Sequence, residues 1–206
     1  MTATVTEPPP PPPPPPPAPG ATPLDPDEAD GLIPLHITTK GELNAWEAAN
    51  IIKGFQWIET RRSGESILLA TTLRELHRRM FSQTWDWAGT FRKTDKNIGV
   101  HWPHIPERTR GLVADVAYQI ENKTFGFDEL AARFHHRLVS IHLFPNGNGR
   151  HARLAADALL KENDTAPFSW GSGSIDETGV VRSSYIAALR AADCGNYLPL
   201  IEFTRR

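Results

Sequence analysis

Cysteine is almost absent. Cys194 stands alone in 206 residues, so no internal disulfide is available and nothing points to an oxidising compartment. No apolar run approaches the ~20 residues of a membrane helix. The N-terminus lacks the charged and apolar regions of a secretory signal. Net charge is only −2 with the histidines neutral, too little field to attract nucleic acid in general. No internal repeat is present. These absences lead us to expect a cytoplasmic protein with neither a membrane nor a nucleic-acid partner.

Proline is abundant and concentrated. Pro8 to Pro17 form an unbroken run of ten. Without an amide donor and with φ fixed, such a run is expected to be extended polyproline II, a solvated leader over residues 1–20. It reads either as a spacer or as a docking site for a proline-binding module. Residues 21–206 are long enough for one domain with a real core.

Apolar spacing predicts an all-helical domain. Asp25-Pro26-Asp27-Glu28 suggests a short capped turn. Thr38 or Thr39 can cap a helix, with Glu42 completing a capping box. That helix would place Leu43, Trp46, Ile51, Phe55 and Trp57 or Ile58 on an apolar face. Further helices are expected over about 68–81, 107–122, 128–141, 150–162 and 178–192, with a short one closing the chain. Asp128 is expected to cap its helix, and Leu69, Tyr185, Ala188 and Leu189 to point inward. Lys93 to Val100 is turn-prone and then extended, which suggests a small β-hairpin or an ordered flap.

The most informative stretch is residues 142–153, His-Leu-Phe-Pro-Asn-Gly-Asn-Gly-Arg-His-Ala-Arg. It joins two predicted helices through two glycines in three residues. A glycine-rich turn feeding a helix N-terminus gathers backbone N–H groups into an anion site. Arg150 and Arg153 lie three apart on the first turns of that helix. His142 stands on the other lip as a candidate base. For His77, His135, His136 and His151 packing is the expected role. A zinc site is disfavoured, because no cysteine or carboxylate stands at ligand spacing.

His142-x-Phe144-x-x-Gly147-Asn148-Gly149-Arg150-x-x-Arg153 resembles the motif of the Fic (Fido) family, His-x-Phe-x-(Asp/Glu)-Gly-Asn-Gly-Arg-x-x-Arg. The aromatic segment Trp85-x-Trp87-Ala88-Gly89-x-Phe91-Arg92 also resembles the stretch before that family's flap. Glu42-Leu43-Asn44, Asn97-Ile98-Gly99-Val100 and His151-Ala152-Arg153 look similar to the bacterial, toxin-like subgroup called mobile mystery protein B. The resemblance covers about residues 22–206.

It implies an all-α Fic fold with a small β-hairpin flap. It also implies a protein adenylyltransferase that moves AMP from ATP to a Ser, Thr or Tyr hydroxyl and releases pyrophosphate. His142 would be the base. Gly147, Asn148, Gly149, Arg150 and Arg153 would hold phosphates, and Phe144 would be structural. Thr94, Asn97, Ile98, Gly99 and Val100 would bind the target as a flap. Mg2+ would accompany ATP, but Asn146 stands where the family has a carboxylate ligand. Glu42 and Glu47 are the candidates for an inhibitory carboxylate facing the arginines. The subgroup suggests a helix-turn-helix or antitoxin-like partner. The alternative class is a nucleotide-binding module with phosphotransfer, or with no transfer at all.

Overall fold

A computed structural model describes residues 31–60, 66–172 and 179–206. The proline run and the turn expected at Asp25 to Glu28 lie outside the described residues. Among those described, seven α-helices follow one another: α1 (Lys40–Thr60), α2 (Ala70–Phe81), α3 (Ile105–Glu121), α4 (Phe127–Ile141), α5 (Asn148–Glu162), α6 (Val180–Asp193) and α7 (Leu198–Thr204). Short 3-10 turns occupy Trp102–His104 and Trp170–Ser172. The expected all-α fold is what forms.

The centre is the α4–α5 pair. Ala131 and Ala132 of α4 and Ala152, Ala155, Ala156 and Ala158 of α5 are buried, with Phe134, Leu138 and Leu159 filling the space between elements. Small side chains let two helix backbones approach closely. The other elements surround this pair: α1 packs on α2, α2 reaches α5, α3 lies on α4, and α6 and α7 close the far side.

Four local expectations fail for identifiable reasons. Residues 93–100 contain no strand; a β-bridge joins Leu32 to Trp85 instead. The carbonyls at both ends of the flap, Thr94 and Val100, are taken by the Arg92 guanidinium. Cross-strand pairing therefore never forms. In α1 the buried face is Leu43, Glu47, Asn50, Gly54 and Ile58, while Trp46 and Phe55 are exposed. The polar residues are drawn inward by specific partners: Asn50 donates to Thr84 Oγ1 at 3.1 Å, and Glu47 accepts from Trp85 Nε1 at 2.7 Å. Asp128 does not cap α4, which starts from Gly126 without a side-chain cap; Asp128 pairs with Arg205 instead. Leu69 is exposed as the N-cap of α2, whereas Leu189 packs half-buried against the core as expected.

The capping box does form. Glu42 N–H donates to Thr39 Oγ1 at 3.3 Å, and Glu42 Oε2 accepts from the amides of Thr39 and Thr38 at 3.1 and 2.9 Å. Those amides hold the exposed Glu42 carboxyl below its usual range, the Thr38 amide contributing most.

Candidate active site

Helix α4 stops at His142, which adopts the left-handed conformation (φ 57°, ψ 67°) and donates its N–H to Leu138 O at 3.1 Å. That conformation turns the chain inward, so Leu143 and Phe144 are buried. Phe144 stacks on the His77 ring with centroids 3.7 Å apart, and His151 meets its edge at 5.0 Å. The Asn148 side chain then ties the loop shut. Its Oδ1 accepts from Phe144 N–H at 2.9 Å and its Nδ2 donates to Phe144 O at 2.7 Å. Asn148 is thus a brace, and only its main-chain amide can serve a phosphate.

His77 supports the loop from beneath. Its Nδ1 accepts from Gly89 N–H at 3.0 Å, which puts the ring proton on Nε2, 3.1 Å from Asn146 O. Burial pushes its pKa well below the usual imidazole value, and the nearby His151 adds to the shift. His151 donates from Nε2 to Leu73 O at 2.9 Å, and burial lowers it to about 4. Gly147 has φ +76°, and a Cβ there would stand 2.6 Å from the Phe81 ring. Only glycine fits this turn.

Past Gly147 the chain enters α5. The first-turn amides of Asn148, Gly149 and Arg150 have no acceptor within a helix and point out of its N-terminus. With His142, Pro145, Asn146 and Gly147 they line a pocket of about 290 Å³, whose rim includes Asn44 from α1 and Arg182 from α6. His142 and the glycine turn are therefore brought together as the sequence suggests. The His142 imidazole is half-buried and its pKa is lowered. Burial is the main cause, the Arg92 charge is second, and the Val139 carbonyl pulls the other way. It is neutral, and so able to accept a proton, at pH 7.

The two arginines part company. Arg150 Nη1 lies 2.7 Å from Glu47 Oε2, and Glu47 is 2% exposed. The guanidinium also sits over the Phe81 ring at 5.0 Å. Arg153 does not line the pocket. Its Nη1 reaches back to 3.9 Å from where a Gly149 Cβ would stand, and its charge acts on His135 and Asp157. Of the two candidate inhibitory carboxylates, Glu47 meets a motif arginine while Glu42 serves the α1 capping box.

Arg92 is the residue that sequence reading valued least. It is 2% exposed. Its Nε donates to His142 O at 2.6 Å, Nη1 to Thr94 O at 2.8 Å, and Nη2 to Val100 O and to Ile141 O at 3.4 Å. Its own N–H donates to Leu143 O at 3.0 Å. One buried cation thus joins both ends of the flap to the chain around His142. A Cβ on Gly99 would come within 2.6 Å of His142 Cβ, so the flap packs against the base of the His142 side chain. The available signal was an arginine closing an otherwise aromatic segment.

Magnesium fits poorly. No carboxylate lines the pocket, and among the described residues no group of three or more His, Cys, Asp or Glu side chains could hold an ion. Asn146 offers a neutral oxygen that already accepts from Gly147 N–H at 2.6 Å. Mg2+ favours carboxylates together with substrate phosphates.

Residues 67–160 match the model of the Fic/DOC family. The chain is 31% identical over 136 residues to protein adenylyltransferase fic-1 of Caenorhabditis briggsae, covering 64% of this chain and 25% of that protein. It is 30% identical over 149 residues to protein adenylyltransferase Fic of Nematostella vectensis, covering 70% and 33%. The chain thus spans about a quarter to a third of the length of these relatives. Among solved structures, C. elegans Fic-1 (residues 134–508) matches with TM-score 0.63 and 24% identity over 86% of this chain and 51% of that one. BepC of Bartonella tribocorum, solved with AMPPNP, matches with TM-score 0.66 and 18% identity over 85% and 94%.

Proposed function

We propose, on a chain whose residues 67–160 match the Fic/DOC family model, that it is a protein adenylyltransferase using ATP. The observation that carries this reading is the meeting of a neutral, half-buried His142 with the glycine-led N-terminus of α5 and Arg150 in one polar pocket. The α- and β-phosphates would lie on the amides of Asn148, Gly149 and Arg150, where the helix dipole favours negative charge. His142 would take the proton of a Ser, Thr or Tyr hydroxyl. The hydroxyl oxygen would attack the α-phosphorus, the bond to the β-phosphate oxygen would break, and pyrophosphate would leave. Arg150 matches a phosphate's bidentate geometry once it exchanges Glu47 for the nucleotide. Arg153, one turn on, would serve the γ-phosphate. No step is assigned to Mg2+.

The flap residues Thr94, Asn97, Ile98, Gly99 and Val100 would hold the target. Because Arg92 occupies the carbonyls of Thr94 and Val100, strand addition by a target would use the backbone between them. Glu47 would act as an inhibitory carboxylate, on Arg150 rather than Arg153. Kinship with the mobile mystery protein B subgroup, and a helix-turn-helix or antitoxin-like partner, belong to this reading on the motif resemblance alone. No helix among the described residues is long and apolar enough to cross a membrane.

A second reading, nucleotide binding without transfer, is favoured by Asn146 and by the occupied Arg150. Incubation with α-labelled and, separately, γ-labelled ATP separates the two. Label from the α-position on protein, absent in His142→Ala, is the expected result. Label from the γ-position alone would mean phosphate transfer, and bound nucleotide with no label on any protein would leave only the binding module.

A further inference from the structure

We propose that Asn146-Gly147 is a self-modification site, at which the Gly147 nitrogen closes on the Asn146 carboxamide and hydrolysis then installs a carboxylate in the nucleotide pocket.

The chain holds two Asn-Gly pairs, at 146–147 and 148–149, and the structure treats them differently. Asn146 is exposed, and its Oδ1 lies 2.6 Å from the Gly147 nitrogen. That contact holds the Asn146 carboxamide against the Gly147 nitrogen, whose bond to Cγ would close a five-membered imide ring. Gly147 has no side chain to obstruct the approach. The attacking nitrogen is also made more acidic than an ordinary amide. His77 Nε2–H donates to the carbonyl of the same peptide group, at Asn146 O. The peptide group enters the N-terminus of α5, whose dipole favours loss of a proton there. Asn148 is the opposite case. It is 4% exposed, and both ends of its carboxamide are bonded to Phe144 rather than turned toward Gly149.

The chemistry balances with water as the only co-reactant. The Gly147 N–H loses its proton, an N–C bond forms to Asn146 Cγ, the carboxamide C–N bond breaks and ammonia leaves. Water then opens the imide at one of its two carbonyls. Opening at Cγ gives an aspartate at position 146. Opening at the main-chain carbonyl gives an isoaspartate, which lengthens the loop by one methylene. The aspartate form places an anionic oxygen in a pocket that has none, beside the amides and Arg150 that suit phosphate. Carboxylate plus phosphate oxygens is the donor set magnesium prefers. The chain as translated lacks that donor set, and a slow reaction of its own backbone can supply it. The modification stands independently of AMP transfer; only its metal consequence rests on the nucleotide reading.

The test is ageing of the purified full chain at neutral and mildly alkaline pH, followed by peptide mapping. A gain of about one dalton at Asn146, with ammonia released and roughly tenfold less change at Asn148, is expected. In urea both pairs should react at similar rates, so that selectivity belongs to the fold. Asn146→Gln, whose longer side chain cannot close the five-membered ring, should show no gain. Equal reaction at both sites in the folded chain, or slower reaction at Asn146 folded than unfolded, would overturn the proposal. The metal arm compares ATP binding by calorimetry with and without Mg2+. Asn146→Asp should show a magnesium-dependent gain of roughly 10-fold or more, as expected when a hard cation acquires an anionic ligand. An unchanged magnesium dependence would refute the metal consequence while leaving the mass result to stand or fall separately.

Discussion

The loop of residues 142–148 and the flap of residues 93–101 meet at His142, and they are held in different ways. The loop is fixed from inside by neutral, buried partners: Phe144 on His77, Asn148 on the Phe144 backbone, and His77 on Asn146 O. The flap is fixed at its ends by one buried cation, Arg92, and on its outer side by exposed Asp95. Asp95 accepts from Trp102 N–H at 2.9 Å and meets His101 Nδ1 at 2.6 Å. Much of its span, Ile98 included, is open to solvent. On the proposed function, a rigid loop beside a lightly held flap would pair fixed chemistry with adaptable recognition.

The comparison breaks most severely at Asn148. Asn148→Ala leaves a buried N–H and a buried C=O of Phe144 without partners, at about 1–3 kcal/mol each. We expect a loss of about 2–4 kcal/mol in urea denaturation. Label incorporation should fall by roughly 10²-fold as the first-turn amides lose register. An unchanged urea midpoint would mean that other contacts hold the loop.

Next is Glu47→Ala. It strips a buried carboxylate from Arg150 and Trp85 Nε1. We expect a cost of about 2–3 kcal/mol, below the figure for a fully buried pair because the Arg150 side chain keeps 18% exposure. Nucleotide affinity should rise as stability falls. An unchanged affinity would remove Arg150 from the phosphate site.

Acid should act on the protein behind the loop. His135 is lowered to about 3 and His151 to about 4 by burial, and His77 lies well below the usual value. Their folded pKa values are depressed, so their neutral burial contributes stability above the unfolded value of 6.5. That contribution is lost as pH falls from 6.5 toward about 4, at about 1.4 kcal/mol per pH unit for each histidine. Asp157 works against this. Burial raises it to about 6, so its contribution grows as pH falls from about 6 toward 3.8. With three histidines against one aspartate, the net expectation is a urea midpoint that drops between pH 6.5 and 4. In the same range, activity should follow the neutral fraction of His142, with an apparent pKa below 6.5. A flat stability profile would contradict the buried, neutral state of these rings.

The smallest effect is expected at Asp95→Ala. Asp95 is exposed, so thermal melting should not move, while the KM for a protein target should rise a few-fold with the KM for ATP unchanged. A matching rise for ATP would show that the flap is part of the nucleotide site.

The loop was legible in the sequence because its residues do their work locally. Two glycines and a histidine within eight positions define the turn and place His142 beside the α5 N-terminus, while Arg153, expected to join them, lies outside the pocket. The helices were legible from apolar spacing. Partners distant in sequence were not: Glu47 and Arg150 are separated by 103 positions, and no local pattern pairs them. The same distance effect rotated the buried face of α1: Leu43 and Ile58 are buried as expected, but Glu47 and Asn50, bonded to Trp85 and Thr84, take the place of Trp46 and Phe55. The flap looked strand-forming because its centre is extended and turn-prone. A single side chain just outside it, Arg92, competes successfully for the carbonyls a hairpin would need.

His142 ends α4 in a left-handed conformation that costs an ordinary L-residue about 1–2 kcal/mol. Glycine is the residue that helix ends choose for this position. The candidate base therefore stands where thermodynamics alone would place glycine, and chemistry and folding select for different residues at one point in the chain. His142→Gly should melt no lower than the native chain while transferring nothing. On the proposed reading, His142 is kept for the proton it accepts, at a position where stability alone favours glycine.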